Sequence, residues 1–435
     1  MNLTRKFDYF YKNQFIRKTA TLQAGSFAGN IIQAGIGIII ARLFQPELFG
    51  VYSLAIGMAS MTSLILGMGI QEAVSSLLGR AYAKGDGAEV ENILGFMLKI
   101  TFFAALIVVA VSAFLPNIAG RLYSDSLIGI YAAIVAVAAI LSSFLFTLTY
   151  SSFQVTGRVK SLAALLLSDQ SLRYALSLIF VFLGFGVLGA VGGQLAGAVV
   201  IFIACSIFFI KFAQSEPLFP GLGRLVHIAK TVDIKKYFGF TFWVALDRNM
   251  GNVYIALPVI LTGIYVSSSE VSFFKLAFGY NNLALSLLGP ISILLNVEFP
   301  KIQVENKQQL FSTFKRISLY SFVFSALLTV GAAIVSPVAF KLLYGESYLP
   351  SIKYIFGLIA YGSLFGIGVG LGPMWRAINK VKVSIMINSL ILAGGIPLGL
   401  WLIKNYSLWG SVVMVTIWFS VSHLISFIYL TKKLK

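Results

Sequence analysis

Apolar stretches near 21–41, 48–71, 93–115, 127–150, 162–184, 187–210, 239–264, 271–297, 317–336, 354–372, 383–403 and 408–430 alternate with short polar connections along the whole chain. A helix needs about 20 residues to cross a hydrocarbon core of roughly 30 Å, and each stretch is of that order. Runs such as Ile100 to Leu115 are almost continuously apolar, whereas a closed β-barrel would show short segments of alternating polarity. The pattern predicts an all-α integral membrane protein with twelve transmembrane helices.

The pattern is also written twice. Leu54-Ala55-Ile56-Gly57 returns as Leu276-Ala277-Phe278-Gly279, and Leu66-Gly67 as Leu288-Gly289, both at a spacing of 222. The polar corner from Phe153 to Lys160 returns from Trp375 to Lys382 at that spacing, and Pro116, Leu122 and Tyr123 fall opposite Pro337, Leu343 and Tyr344 with one residue fewer. Residues 21–210 and 239–435 therefore read as two six-helix bundles. The longest polar connection, 211–238, with Pro217, Pro220, Gly221 and Gly223 followed by a basic stretch, reads as the cytoplasmic linker between them. An even number of spans per half starts both on the same side, so the repeat is parallel and its pseudo-twofold axis lies along the membrane normal. Membrane proteins built of two like halves commonly bind where the halves meet, which puts transport first among the functional classes.

Composition agrees and narrows the choice. Hydrophobic residues make up 58%, charged residues 11%, and mean hydropathy is +0.89, a balance foreign to water-soluble domains. The formal charge of +18 would suit a nucleic-acid partner, but position argues against one. With a cytoplasmic N-terminus only five of the 33 Lys and Arg, Arg42, Arg121, Lys341, Lys353 and Lys404, fall in external loops, and Lys99, Arg173, Arg248 and Lys275 fall within or at the ends of spans. The asymmetry follows the positive-inside rule with both termini cytoplasmic. Residues 1–20 carry Leu3, Phe7, Phe10, Tyr11 and Phe15 among five basic residues, the pattern of an interfacial cytoplasmic N-terminal helix. Met1 to Lys18 is charged throughout, so no cleavable signal peptide is expected. One cysteine, Cys205, and two histidines, His227 and His423, leave no material for a disulfide framework or a metal cluster. No phosphate loop, zinc-protease motif or Ser/His/Asp set is present, and no cofactor is implied.

Ionisable groups inside spans are costly and tend to face a protein interior or a water-filled cavity. Asp169 and Arg173, four residues apart in the fifth stretch, share a helical face where they can pair or jointly line a cavity. Asp247 and Arg248 are adjacent in the seventh, so their side chains diverge by about 100° and one faces a cavity while the other meets a helix or the headgroup zone. Lys275 lies near the external end of the eighth, with Asn281 and Asn282 deeper. Gln23, Ser26, Asn30 and Gln33 make one face of the first polar, as helix-to-helix glue or as cavity lining. His423 reads as a hydrogen-bonded core residue. Alternating Gly366, Gly368, Gly370 and Gly372 before Pro373, and Pro258, Pro290 and Pro397 within spans, supply points where helices can bend.

The stretch Ala41-Arg42-Leu43-Phe44-Gln45-Pro46-Glu47-Leu48-Phe49-Gly50-Val51-Tyr52 resembles the opening of bacterial polysaccharide flippases of the Wzx type, where a helix ends in Arg-Leu, a proline-acidic loop follows and Gly-x-Tyr begins the next helix. Leu66 to Ile70 with Arg80 to Asp86, and Gln154 to Arg158, are similar to that family's second helix, first cytoplasmic loop and corner before helix five. The resemblance implies membership of the multidrug/oligosaccharidyl-lipid/polysaccharide exporter (MOP) superfamily, with a MATE-like fold of two bundles around a central cavity. It further implies a bacterial inner-membrane flippase, not an enzyme, that carries an undecaprenyl-pyrophosphate-linked oligosaccharide outward by alternating access for surface polysaccharide or O-antigen synthesis. Partners implied with it are the bilayer, H+ or Na+ as coupling ion and polysaccharide polymerase machinery. On that reading Arg248 and Arg173, helped by Lys275, Asn30 and Asn281, bind the substrate, while Asp169 and Asp247 serve as coupling sites or structural ion pairs. The alternatives are a cation-coupled multidrug or metabolite antiporter and a lipid II flippase. Lipid II flippases are expected to carry two additional helices, and a membrane glycosyltransferase or polymerase is expected to carry a large external loop; neither is present here.

Overall fold

A computed structural model describes residues 14–66 and 70–434. Residues 1–13 of the expected interfacial helix over 1–20, and the side chains of Gln23 and Ser26, lie outside what is described, while residues 14–20 open the first helix. The helices in order are α1 Gln14–Ser63, α2 Ile70–Ala83, α3 Gly87–Tyr123, α4 Ser126–Val155, α5 Val159–Phe180, α6 Gly186–Ser215, α7 Leu222–Thr231, α8 Lys235–Thr262, α9 Ser268–Leu285, α10 Gly289–Glu305, α11 Lys307–Leu343, α12 Ile352–Gly357, α13 Ile359–Gly368, α14 Leu371–Ala377 and α15 Val381–Leu434. Helix occupies most of every apolar stretch predicted above.

Seven continuous helical runs among the described residues are long and apolar enough to cross a bilayer, and the pair Glu346–Gly357 and Ile359–Ala377, bent by 53°, adds an eighth. Three of the seven join two predicted spans across a sharp break. α1 breaks at Gln45 (φ 61°, ψ 168°), with Pro46 starting the next helix, a position where its missing N–H costs nothing. The run Val159–Ser215 turns at Gly184 and Gly186, and α15 turns at Ser407. Helices α3 and α11 are longer than their apolar stretches, each with 37 residues, or about 55 Å at 1.5 Å per residue.

The repeat is present in the backbone as well as in the letters. Gly157 (φ 72°) and Asn379 (φ 54°) both have positive φ 222 positions apart, and Ser124 (φ 57°, ψ 20°) and Gly345 (φ 91°, ψ 177°) both do 221 apart, with different ψ. Gly186 (φ 55°, ψ −138°) and Ser407 (φ 50°, ψ −134°) share one conformation, again 221 apart. Positive φ is scarce for residues other than glycine, so three pairs of positive-φ positions at the repeat spacing mark corresponding breaks in the two halves, with one shared conformation at Gly186 and Ser407.

By packing, the described residues divide into one unit of 14–40 and 59–245 and another of 41–58 and 246–434. The first unit buries Leu78, Ile93, Leu94, Phe96, Met97, Leu148, Ile201, Phe209 and Phe212 in one cluster. Without water in the bilayer, small residues and hydroxyls bring such helices together. Gly193 lies directly on the backbone of Ser177, and the Ser177 hydroxyl donates to the Ala190 carbonyl at 2.7 Å, joining α5 to α6. The second unit centres on Phe299, Leu310, Phe314, Met374, Trp375 and Leu430. Gly366 sits against the Ser321 backbone, and Ser325 donates to the Ser363 carbonyl at 2.7 Å.

Two segments pack differently from the expected boundaries. Residues 41–58, read above as part of the first bundle, pack within the second unit. The Tyr348 hydroxyl donates to the Ala41 carbonyl at 2.6 Å, Ser347 donates to Gln45 at 3.1 Å, and Gly50 presses on the backbone of Ser268, where a Cβ would collide. The connection 211–238 packs as part of the first unit. Leu225 of α7 is fully buried, and Lys99 donates to the carbonyls of Lys230 and Val232 at 3.3 and 2.9 Å, closing the helix C-terminus. Arg224 pairs with Glu91 at 2.9 Å, Arg158 with Glu216 at 3.0 Å and Lys236 with Glu89 at 2.6 Å. The Glu89 bond holds the Lys236 ammonium above the ordinary lysine range.

Candidate functional site

Polar groups converge inside the second unit. Asp247, Gly251 and Tyr254 fall at i, i+4 and i+7 of α8, one face of the helix, and line a cavity of about 240 Å³ with Ser384, Asn388, Ser422, His423 and Ser426. These groups are knitted together. Ser422 donates to the Asn388 side-chain carbonyl at 2.6 Å, the Asn388 amide donates to the Ser384 carbonyl at 3.0 Å, and the Tyr254 hydroxyl donates to the Asn388 backbone carbonyl at 3.3 Å. A single carboxylate among neutral oxygens is a donor set that suits a proton or a small hard cation. Among the described residues no group of three or more His, Cys, Asp or Glu could hold a metal ion.

Arg376, at the end of α14, lies beside this carboxylate. Its Nε donates to Asn296 at 3.0 Å, while its Nη1 is 3.7 Å from Asp247 Oδ2. The first contact is a hydrogen bond; the second is an ion pair too long to be one. Both partners are partly exposed, the side chains at 50% for Arg376 and 28% for Asp247.

A larger, more apolar cavity of about 440 Å³ in the same unit is lined by Ile255, Leu285, Phe365, Phe419 and Pro373, with Asn282 accepting from the Tyr361 hydroxyl at 2.5 Å. His423 lines both cavities. Its ring packs against Phe365 and Phe419, with Nδ1 3.4 Å from the Leu364 carbonyl, in space that a side chain at Gly368 would fill.

The predicted residues are distributed as follows. Asp169 and Arg173 are ion-paired in the first unit, Asp169 only 8% exposed and its second oxygen buried without a partner. Nearby, Gln33 donates to the Tyr174 hydroxyl at 2.6 Å. Asn30 is exposed on α1. In the second unit Asp247 lines the polar cavity, and Arg248, one position on, is exposed. Lys275 is half-buried on α9. Asn281 is fully buried, its amide returning to the Ala277 carbonyl at 3.2 Å, and it is Asn282 that reaches a cavity. Sequence reasoning missed Arg376, Tyr254, Asn388 and Ser422. A signal for part of this set was available: Ser384 with Asn388 and Ser422 with Ser426 stand four apart on their helices, and Arg376 replaces Gln154 at the repeat spacing of 222.

Comparison with known proteins places this geometry in context. Stage V sporulation protein B of Bacillus subtilis (strain 168) is 25% identical over 210 residues, which is 44% of this chain and 39% of that protein. A multidrug resistance MATE family transporter of the MOP superfamily, solved in an inward-facing conformation, superposes with a TM-score of 0.73 at 15% identity over 94% of both chains. The lipid II flippase MurJ, in an inward closed conformation, superposes with a TM-score of 0.70 at 18% identity over 94% of this chain and 87% of that one. The fold is thus that of multi-pass membrane transporters. Residues 15–303 match the family described as "Polysaccharide biosynthesis protein", and with two thirds of its length inside that match, the chain belongs to this family.

Proposed function

We propose that the protein is a flippase that moves an undecaprenyl-pyrophosphate-linked oligosaccharide repeat unit across the bacterial cytoplasmic membrane by alternating access, for surface polysaccharide or O-antigen synthesis. The observation that carries this reading is the family match over residues 15–303 on a transporter fold: a polysaccharide biosynthesis protein with that fold has a lipid-linked sugar as its natural cargo. The charged groups within the helices suit that cargo. Arg173, Arg248 and Lys275 outnumber Asp169 and Asp247, and guanidinium groups meet phosphate oxygens in charge-assisted, two-pronged bonds. Asn30, exposed on α1, and Asn282, which lines a cavity, are the proposed neutral contacts in place of the buried Asn281. The termini are cytoplasmic on the positive-inside rule.

Asp247, in its polar cavity, is the proposed coupling site for H+ or Na+. That feature also favours the second reading, a cation-coupled multidrug or metabolite antiporter of the same superfamily. The two differ in phenotype. Depleting the protein is expected to abolish surface polysaccharide while the lipid-linked repeat unit accumulates on the cytoplasmic leaflet, measured by polysaccharide gels and mass spectrometry of extracted lipids. Normal polysaccharide with raised drug sensitivity would refute the flippase reading and establish the other.

A further inference from the structure

The 3.7 Å separation of Arg376 from Asp247 is unusual for a pair this well placed. An unstrained guanidinium–carboxylate contact closes to about 2.7–2.9 Å with two parallel bonds. Here Arg376 spends its Nε on Asn296 at 3.0 Å, which angles the guanidinium so that it faces Asp247 without bonding to it. Half of the Arg376 side chain remains exposed, and no other acidic side chain is ion-paired with it among the described residues. Asp247 for its part looks from Arg376 on one side into the cavity of Tyr254, Asn388, Ser422 and His423 on the other. Each member of the pair thus has a second direction in which to act: the cation towards an anionic ligand, the anion towards the cavity.

We propose that Arg376 is a diphosphate-binding residue of the second unit and that Asp247 competes with the diphosphate for it. A cation or proton taken by Asp247 removes the competing charge and leaves the guanidinium to the phosphate oxygens. A diphosphate on Arg376 equally leaves Asp247 without its counter-charge and strengthens its hold on a cation. The two ligands therefore bind with positive coupling, which is reciprocal by linkage. Asn296 is the positioning residue that keeps the pair from closing. This deepens the flippase reading above, in which the cargo carries a pyrophosphate, and it supplies the device by which ion and cargo would be tied together.

The test is isothermal titration of the purified full-length protein in detergent micelles at constant pH, with two probes, inorganic pyrophosphate and farnesyl diphosphate. Arg376→Gln is expected to weaken both by about tenfold or more, the effect of losing a charge-assisted pair. Asp247→Asn, which mimics the neutralised carboxylate, is expected to tighten both by about fivefold. That gain should vanish in the Arg376→Gln background. Arg376→Lys, which keeps the charge but not the fork, should recover part of the loss. Unchanged or weaker binding by Asp247→Asn overturns the proposal, as does wild-type binding by folded Arg376→Gln. Should Arg376→Gln not fold, Asp247→Asn alone decides. Tighter binding of farnesyl diphosphate than of pyrophosphate assigns the site to a lipid-linked ligand, and equal binding assigns it to the free anion. Neither probe has to be translocated, so a failed titration beside a positive depletion phenotype sinks the competition and keeps the flippase, and the reverse outcome does the opposite.

Discussion

Asp169→Ala is expected to keep the protein from accumulating in folded form, and the double variant Asp169→Ala/Arg173→Ala is expected to restore it. Asp169 is 8% exposed and Arg173 is its ion-pair partner. Removing the acid leaves a guanidinium, half-buried on α5, with nothing to balance it. Stranding one member of a buried pair costs about 3–5 kcal/mol, a large share of a total stability of about 5–15 kcal/mol. Removing both charges leaves only lost packing and is far milder. Gly197 makes the point locally, because it lets α6 lie directly on Arg173 and little room remains for the side chain to swing out to water. Fluorescence size-exclusion of tagged protein from membranes measures the outcome; equal yields of all three forms would contradict the prediction. The restored double variant then reports on transport. If Arg173 meets the cargo as proposed, cells carrying it make no surface polysaccharide although the protein is present. Normal polysaccharide would reduce the pair to a structural role.

Arg248→Ala should behave in the opposite way, with a loss of transport and little change in stability. Arg248 is exposed on α8 and its neighbour Asp247, not Arg248 itself, lines the polar cavity. An exposed side chain leaves no buried cavity when it is removed. A bond from arginine to a phosphate is worth about 1.5–3 kcal/mol, so flux through a transporter that depends on it should fall by roughly 10–100-fold. Arg248→Lys should retain part of the flux, because a point charge replaces a fork. Unaltered surface polysaccharide at equal protein level would remove Arg248 from the site.

Much of the fold was legible because membrane insertion imposes a coarse and strict code. Long apolar runs located the helices, and the repeat at 221–222 positions reappeared in the backbone at Gly157 and Asn379, Ser124 and Gly345, and Gly186 and Ser407. What was not legible depends on contacts between distant residues. Lys99 looked like a basic residue at a span end, yet it closes the C-terminus of α7, more than a hundred positions away. Residues 41–58 belong by order to the first half but pack with the second unit, held by Tyr348 and by the absence of a side chain at Gly50. The candidate site divides in the same way. The pairing of Asp169 with Arg173 follows from a four-residue spacing on one helix. The approach of Arg376 to Asp247 joins α14 to α8, and no periodicity encodes it. Asn281 and Asn282 could not be told apart as letters; a rotation of about 100° buries one and brings the other to a cavity.

The central claim is translocation of a lipid-linked sugar, and the most direct measurement is made in liposomes. Purified protein is reconstituted with a fluorescent undecaprenyl-pyrophosphate-linked oligosaccharide in both leaflets, and a sugar-specific lectin or an impermeant quencher is added outside. The flippase reading predicts that the protected inner fraction becomes accessible at a rate set by the wild-type protein and lost with Arg248→Ala. An inner fraction that stays protected over the same period, in vesicles where the protein is folded, would contradict it.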